Sequence, residues 1–297
     1  MMGRFQTPLR YPGGKQRIYR FIEDIIRENG GFSHYIEPYA GGAGIALELL
    51  SKSIVDRITI NDKDVAVYSF WNSLVRQPDQ FMRMVRDTDI SMKVWREQRY
   101  IFQNSKQFSD IEVGFSFFFL NRTNRSGILT GGVIGGNDQT GNYKIDARFN
   151  RYELLDRMKR IVNLRHRISV LNQDGYSLCR TEFNSGSSDS LTYLDPPYYC
   201  KGGTLYLNHF KHEDHVSLAA LMQEHAYSRW VVSYDHVPEI LMMYQNFLKF
   251  KYTLSYSAAP AVRNSGSELF VCSHSINLPI TTSVHYINSA LSKLHED

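Results

Sequence analysis

The chain has 297 residues, of which 42% are hydrophobic and 22% charged, a size that suits one large domain or a core with an insertion. No apolar run is long enough to span a bilayer, and the first residues lack the apolar stretch of a secretory signal, so we expect no membrane partner. Three scattered cysteines without CxxC spacing argue against a structural zinc site and favour a reducing, cytoplasmic setting.

The net charge of +4 is unevenly distributed along the chain. Residues 76–167 carry 17 Lys and Arg against 10 Asp and Glu, an excess of seven, so the remainder of the chain is slightly acidic. A basic middle segment is typical of a surface that meets a polyanion. Charge alone equally favours an ordinary solvated helical surface.

The first third of the chain alternates between helix and strand patterns. Residues 15–29 place apolar side chains at helical spacing, and two glycines follow them. HYIEPYAGGAGIALELL then predicts a strand, a glycine-rich turn and a helix, and DRITINDKD predicts a second strand that ends in an acid. This order is typical of the start of a parallel, doubly wound sheet.

The pattern changes after about residue 70. Residues 71–108 are helix-like, and an apolar stretch followed by a Gly-, Asn- and Thr-rich run comes next. RISVLNQDG, LTYLDPPYY, RWVVSYD and ELFVCSH then predict four more strands, with HEDHVSLAALMQEHA as a crossover helix. We therefore predict a sheet domain formed by residues 1–70 and 161–297, split by an inserted domain at 71–160.

The second of these four strands ends abruptly at Asp195. Two consecutive prolines follow, and because proline cannot donate to a ladder, they predict a stiff, extended loop. In open α/β sheets, ligands bind beyond the carboxyl ends of the strands. The stretch is consistent with an ordinary strand exit, or with a rigid loop that presents a carboxylate and the ring of Tyr198 to a flat substrate.

The glycine-rich turn and the acid at Asp62 are spaced as in nucleotide-binding sheets. Glycines in such a turn let the backbone approach a ligand closely, and an acid about twenty residues further on binds ribose hydroxyls. Neither GxGxxG nor GxxxxGK occurs in the chain. The pair therefore favours an adenosine-containing ligand over a diphosphate.

YPGGK at 11–15, EPYAGGAG, the acid in NDKD and DPPY, in this order, resemble the Dam-type (alpha-group) DNA adenine-N6 methyltransferases. The likeness continues through FLNRTNRSGILTGG, DARFN, SYD and RNSGSELF, and so spans nearly the whole chain. The resemblance implies a Rossmann-like class I methyltransferase sheet with an inserted, largely helical target-recognition domain. It also implies double-stranded DNA as substrate, S-adenosylmethionine as cofactor, S-adenosylhomocysteine as product, and no metal.

The resemblance assigns roles to individual residues. Asp195 and the Pro196 carbonyl are expected to accept hydrogens from an exocyclic adenine amine and aim its lone pair at the sulfonium methyl, while Tyr198 stacks on a base taken out of the helix. Asp174 is expected to contact the cofactor's adenine or, with equal weight, to cap a helix. The expected cofactor-binding residues are Tyr11, Lys15, Glu37, Pro38, Gly41, Gly42, Gly44, Asp62, Asp174 and Asp195.

The glycine-rich run in the insertion supplies the expected DNA-reading side chains. They are taken as base-edge donors on a flexible backbone: Asn121, Arg122, Asn124, Arg125, Ser126 and Thr130. A plain glycine loop is the alternative. Family members that recognise GATC carry an arginine where Thr130 aligns, so we predict an adenine-containing target other than strict GATC, or a looser version of it.

Other readings of the sequence stay open. The same loop chemistry serves cytosine-N4 methylation, and a regulator that binds DNA without catalysis would keep the basic insertion. His209, His212 and His215, near Glu213 and Asp214, are interpreted as capping or solvated groups rather than metal ligands, with His215 also expected to help order the loop after DPPY. Cys200 is interpreted as a bystander thiol. A cognate restriction enzyme, the target sequence and the oligomeric state are not determined by the sequence.

Overall fold

The computed structural model describes residues 7–10, 18–200, 210–253, 267–279 and 284–287. The described helices are α1 (Tyr19–Glu28), α2 (Gly44–Ser51), α3 (Val65–Arg76), α4 (Pro78–Asp87), α5 (Met92–Gln103), α6 (Asp110–Thr123), α7 (Arg151–Asn163), α8 (Gly175–Asn184), α9 (His212–Glu224) and α10 (Pro238–Met243). The strands are β1 (His34–Glu37), β2 (Arg57–Asn61), β3 (Ile168–Leu171), β4 (Ser190–Leu194), β5 (Trp230–Tyr234), β6 (Leu248–Thr253), β7 (Ser267–Cys272) and β8 (Val284–Tyr286). The fold class is therefore mixed α/β.

The sheet has the strand order β3-β2-β1-β4-β5-β7-β6-β8. β2 pairs with β3, β1 with β4, and β4 with β5, all in parallel. β7 runs antiparallel to both β5 and β6, and β8 is antiparallel to β6. A parallel set of strands that closes with antiparallel strands at one side is the Rossmann-like methyltransferase arrangement predicted from the sequence.

The chain divides into two compact units. Unit 1 comprises residues 1–16 and 40–173, and unit 2 comprises residues 17–39 and 174–297. Unit 1 holds β2, β3 and helices α2–α7. Its helices α3 and α6 approach so closely at Gly114 that an added Cβ would lie 2.5 Å from the Ser69 carbonyl oxygen. An aromatic core fills this unit, with Phe70 stacked on Phe118 at 5.8 Å and edge-on to Phe81 at 5.5 Å.

Unit 2 holds the remaining strands and helices. All five residues of β4 and of β5 are buried, as expected for central strands covered on both faces. α1 packs its apolar face inward, and its Phe21 ring lies edge-on to Phe250 at 5.3 Å. Side-chain caps start a helix in each unit, Asp64 at α3 and Asp174 at α8.

The four later strands predicted from the sequence are present as β3, β4, β5 and β7, and the predicted crossover helix is α9. β6 was missed, because its sequence LKFKYT carries lysines at alternate positions. One of them, Lys249, is buried and donates to the carbonyls of Tyr244, Gln245 and Phe247 at 2.9–3.1 Å, where it secures the end of α10. Within the described ranges, each helix is too short or too polar to cross a bilayer. The domain boundaries at 71 and 160 stay a prediction.

Candidate active site

The loop that carries the predicted catalytic residues leaves β4 at Leu194. Asp195 is partly buried, Pro196 is buried, and Tyr198 is partly buried. The hydroxyl of Ser233 on β5 donates to Asp195 Oδ1 at 3.0 Å. The hydroxyls of Tyr193 and Ser233 lie 2.8 Å apart. The carboxylate is therefore held by the neighbouring parallel strand at the carboxyl edge of β4 and β5.

The next turn of the loop is anchored by Asp235, the residue that follows β5. Its Oδ1 accepts the backbone N–H of Tyr199 and its Oδ2 that of Cys200, each at 2.9 Å. The Tyr199 hydroxyl lies 2.9 Å from His212 Nδ1, and its ring packs on the buried His215 at 5.1 Å between centroids. Sequence reasoning noted SYD only as a family likeness and missed this anchoring role.

Glu37 ends β1, next to β4 in the sheet, and is buried. Burial raises the pKa of Tyr35 well above its usual value, and the negative charges of Glu37 and Asp195 raise it further. Ile36 of β1 pairs with Thr192 of β4, so Glu37 and Asp195 lie at the same carboxyl edge of two neighbouring strands. The structure brings these two predicted site residues together in unit 2, with buried Pro38 directly after Glu37.

Asp174 caps α8 by accepting the backbone N–H groups of Tyr176 and Ser177 at 3.1 and 3.3 Å. The helix-capping alternative is thus confirmed, and a cofactor contact by Asp174 stays a prediction. Gly175 follows it without room for a side chain, because an added Cβ would lie 2.5 Å from the Tyr39 ring. The ring of Tyr39 is in turn edge-on to Phe210 at 5.8 Å.

The glycine turn and Asp62 lie together in unit 1. Asp62 accepts the backbone N–H of Gly41 through Oδ2 and that of Asp64 through Oδ1, each at 3.0 Å. Gly41 has φ +46°, and Ala43, which precedes α2, has φ +47° although it is not a glycine. Burial raises the pKa of Asp62 to about 7, against the lowering effect of its two backbone hydrogen bonds. The turn is thus fastened to an acid at the end of β2.

Gly42 and Gly44 complete the turn, and α2 begins at Gly44. The Gly41 carbonyl accepts the indole N–H of the buried Trp71 at 2.9 Å, and this hydrogen bond holds the turn against α3. Tyr11 and Lys15 lie outside the described residues.

The structure corrects two of the predicted DNA-reading residues. Asn121 is buried; its Oδ1 accepts the Arg10 N–H at 2.8 Å, and its amide donates to the Arg10 and Gly127 carbonyls at 2.7 and 3.2 Å. Asn124 is also buried; it accepts from the Trp95 indole at 2.8 Å and donates to the carbonyls of residues 128 and 129, each at 3.0 Å. The amide N–H groups of both residues donate to backbone carbonyls of the protein, so neither side chain is available to donate to a base edge.

These two asparagines brace the segment 124–134, which we call the recognition loop. Asn124 and Val133 form a β-bridge across it, and Gly127 at φ +76° sits where an added Cβ would lie 2.7 Å from the Arg10 carbonyl oxygen. The backbone is cross-braced here, in contrast to the flexible run that its glycines suggested. Arg125, Ser126 and Thr130 are exposed on the loop and stay candidates for contact with bases.

Arg122 belongs to a group that we call the arginine cluster: Arg10, Arg122, Arg148 and Arg157. The Arg122 guanidinium donates to the Arg148 carbonyl, with Nε at 2.7 Å, and Arg157 donates to the Thr7 carbonyl at 3.2 Å. Burial, together with the positive charges of the other three arginines, lowers the pKa of Arg122 to about 10. Glu153, paired with Arg157, is the carboxylate that opposes this shift.

Comparison with known proteins gives the family. The sequence model of the D12 class N6 adenine-specific DNA methyltransferases matches residues 11–255, most of the chain. The chain belongs to this family. It is also 23% identical over 204 residues to the Type II methyltransferase M.MjaIII of Methanocaldococcus jannaschii, an alignment that covers 64% of this chain and 68% of that relative.

As a D12 class methyltransferase, the protein is an enzyme that methylates adenine N6 in DNA. This confirms the resemblance and the activity predicted from the sequence, and it sets aside cytosine-N4 methylation and a non-catalytic regulator. The family implies S-adenosylmethionine as methyl donor. Among the described residues, no three His, Cys, Asp or Glu side chains are arranged to hold a metal ion.

Proposed function

We propose that the enzyme binds S-adenosylmethionine through the glycine turn, Asp62 and Glu37, and methylates an adenine turned out of double-stranded DNA against the Asp195–Tyr198 loop. The observation that carries the proposal is the Asp195 carboxylate, fixed by Ser233 at the carboxyl end of β4 and followed by two prolines and Tyr198. The loop therefore offers a fixed acceptor, a backbone carbonyl and an aromatic ring to one planar base.

The donor set of unit 1 fits the cofactor. Asp62 uses two of about four acceptor positions on its carboxylate for backbone N–H groups of the described chain, which leaves capacity for the paired hydroxyls of a ribose. Gly41 and Gly42 place backbone, rather than side chains, beside this acid. We assign supporting cofactor contacts to Pro38, Gly44, Asp174, Tyr11 and Lys15 from the family resemblance.

Asp195 and the Pro196 carbonyl prepare the amine for reaction. Each accepts one N6 hydrogen, which weakens delocalisation of the nitrogen lone pair into the adenine ring and orients that lone pair. When bound, S-adenosylmethionine supplies an electrophilic methyl group on a positively charged sulfur. N6 would take this methyl group while the electron pair of the carbon–sulfur bond stayed on sulfur, and N6 would then lose a proton to Asp195 or water. Asp195 stabilises the developing positive charge on N6.

Unit 1 supplies the proposed DNA surface. Four guanidinium groups with one opposing carboxylate make the arginine cluster a site for backbone phosphates, which accept bidentate hydrogen bonds from arginine. The recognition loop presents Arg125, Ser126 and Thr130 for base readout. We further propose a cytoplasmic location. The relative from Methanocaldococcus jannaschii is a Type II methyltransferase, so we propose either a cognate restriction enzyme or a solitary methyltransferase.

The test is Asp195→Ala in a methyl-transfer assay with labelled S-adenosylmethionine and the host DNA. We expect methyl transfer to fall below detection while DNA affinity stays within about twofold, because Asp195 acts on the reacting amine. Glu224→Ala, an exposed carboxylate at the end of α9, is the matched control and should keep full activity. A folded Asp195→Ala protein that methylates at a comparable rate would refute the mechanism.

A further inference from the structure

Ser233 is a buried serine in the central strand β5, an unusual place for a hydroxyl. Its side chain is fully buried. A buried hydroxyl without a hydrogen-bond partner lowers the free energy of unfolding, so partners are expected. Its Oγ is engaged on both sides, with the Asp195 carboxylate at 3.0 Å and the Tyr193 hydroxyl at 2.8 Å. Tyr193 is itself buried in β4, two residues before Asp195.

The direction of the two hydrogen bonds follows from the number of protons available. An ionised carboxylate only accepts, and serine has a single O–H, so Ser233 donates to Asp195 and its lone pairs face Tyr193. Tyr193 is then the donor to Ser233. Burial, reinforced by the charge of Asp195, raises the pKa of Tyr193 well above its usual value, so the phenol keeps its proton. The two hydrogen bonds form a chain from Tyr193 through Ser233 to Asp195 Oδ1.

We propose that Tyr193 and Ser233 form a hydrogen-bond relay that fixes the orientation of the Asp195 carboxylate for methyl transfer, which makes both of them positioning residues. The relay builds on the proposed function, in which Asp195 acts on the adenine amine. Each hydrogen bond in the chain polarises the next, so the tyrosine strengthens the serine's donation to the acid. A carboxylate held in one rotamer acts on the substrate amine without a cost of ordering at the moment of reaction.

A purely structural role for the same contacts predicts a different result. If the hydroxyls only satisfied one another inside the sheet, their removal would lower the melting temperature and leave the turnover of the folded enzyme unchanged. The measurement is therefore kcat, the KM for DNA and the dissociation constant for S-adenosylmethionine of folded enzyme, each made below the melting temperature of every variant.

We expect Ser233→Ala to lower kcat by about ten- to a hundredfold, as a small misplacement of a reacting group does, with KM and the cofactor dissociation constant within about twofold of wild type. Tyr193→Phe, which removes one oxygen and keeps the ring, should lower kcat by roughly three- to tenfold. In the double variant, the tyrosine change should add nothing to the serine change, because Tyr193 reaches Asp195 only through Ser233.

Two controls match the two substitutions. Ser273→Ala removes a buried serine hydroxyl that has no hydrogen-bond partner in the part of the chain that is described. Tyr244→Phe removes a buried phenol oxygen next to α10. Both should retain wild-type kcat.

The outcomes separate the relay from the proposed function. Wild-type kcat in Ser233→Ala, equal losses in the controls, or independent effects that multiply in the double variant would each overturn the relay. If these occur while Asp195→Ala is inactive, the proposed function stands and only the relay fails. If Asp195→Ala is active, the proposed function fails first.

Discussion

At the scale of single residues, Asp62 shows how burial and hydrogen bonding oppose each other on one carboxyl group. Burial favours its neutral form, and the N–H groups of Gly41 and Asp64 favour the carboxylate, with the pKa at about 7 as the result. Ribose hydroxyls would donate to the charged form. We therefore expect the cofactor to bind the form of the protein in which Asp62 is deprotonated. The fraction of that form increases as pH rises through 7.

We expect the affinity for S-adenosylmethionine to increase between pH 5.5 and pH 8.5, with the midpoint near 7, in calorimetric titrations. Asp62→Asn keeps the size and removes the titration, so its affinity should be flat with pH in this window. At pH 8.5 it should bind about 1.5–3 kcal/mol more weakly than wild type, the scale of a hydrogen bond to a charged group. A wild-type affinity independent of pH would remove Asp62 from the cofactor site.

At the scale of structural elements, the recognition loop separates residues that shape it from residues that it presents. Asn121 and Asn124 lie at the end of α6 with buried amides that hold backbone carbonyls, whereas Arg125 and Ser126 are exposed. The loop can therefore hold a fixed conformation before DNA is bound. Mutations in these two groups should produce different defects.

Asn124→Ala should lower the free energy of unfolding by about 1–3 kcal/mol, because it leaves the Trp95 indole and two carbonyls without their partner. We expect methylation at all sites to fall together as the loop loses its shape. Chemical denaturation and mapping of methylated adenines on one genome measure the two effects. Unchanged stability would show that the amide is not required to brace the loop.

Arg125→Ala is the contrasting variant. It should leave stability unchanged and relax or shift the preferred sequence at one position, where a lost bidentate guanine contact costs roughly 1–3 kcal/mol of discrimination. If Arg125→Ala methylates the same DNA sequence as wild type but at uniformly fewer sites, Arg125 contacts the DNA backbone rather than a base. Strict GATC methylation by the wild type would show that the alignment of Thr130 is wrong.

At the scale of the whole molecule, two kinds of arginine occur in and around the basic segment 76–167. Arg151 and Arg167 donate to backbone carbonyls, at 2.6–3.1 Å and 2.5–2.8 Å, and so help to hold the fold. Arginines of the arginine cluster also donate to backbone carbonyls, but they differ in lying close to one another, so that the other three lower the pKa of Arg122. Only the second kind should govern DNA affinity.

We expect the logarithm of the DNA binding constant to fall linearly with the logarithm of salt concentration, by about 0.9 per phosphate contact. Arg148→Ala, an exposed member of the arginine cluster, should reduce that slope by about one contact. The control is Arg27→Ala in the exposed Arg27–Glu23 pair of α1, which should leave the slope unchanged. Equal slopes for wild type and Arg148→Ala would show that Arg148 does not contact a DNA phosphate.

The sequence by itself determined the features that depend on local pattern. Apolar spacing gave β1, β4 and β5 and the acids at their carboxyl ends, whereas Asp174 stayed open between a cofactor contact and a helix cap until the structure showed the cap of α8. The ordered motifs gave the family and the adenine-N6 chemistry. These signals are carried by neighbouring residues, so folding does not alter them.

Only the tertiary structure decided which polar groups meet. Ser233 is 38 residues from Asp195, and Asn121 is 111 residues from Arg10, so no local spacing reveals either contact. Asparagines in a glycine-rich run favour an exposed loop by composition, yet packing on Trp95 and Arg10 buries them. The lysines of β6 made its sequence look unlike a buried strand. Lys249 can be buried because the carbonyls of Tyr244 and Phe247, just after α10, accept its hydrogen bonds. A buried polar side chain is stable only where distant partners satisfy it, and that condition is set by the fold.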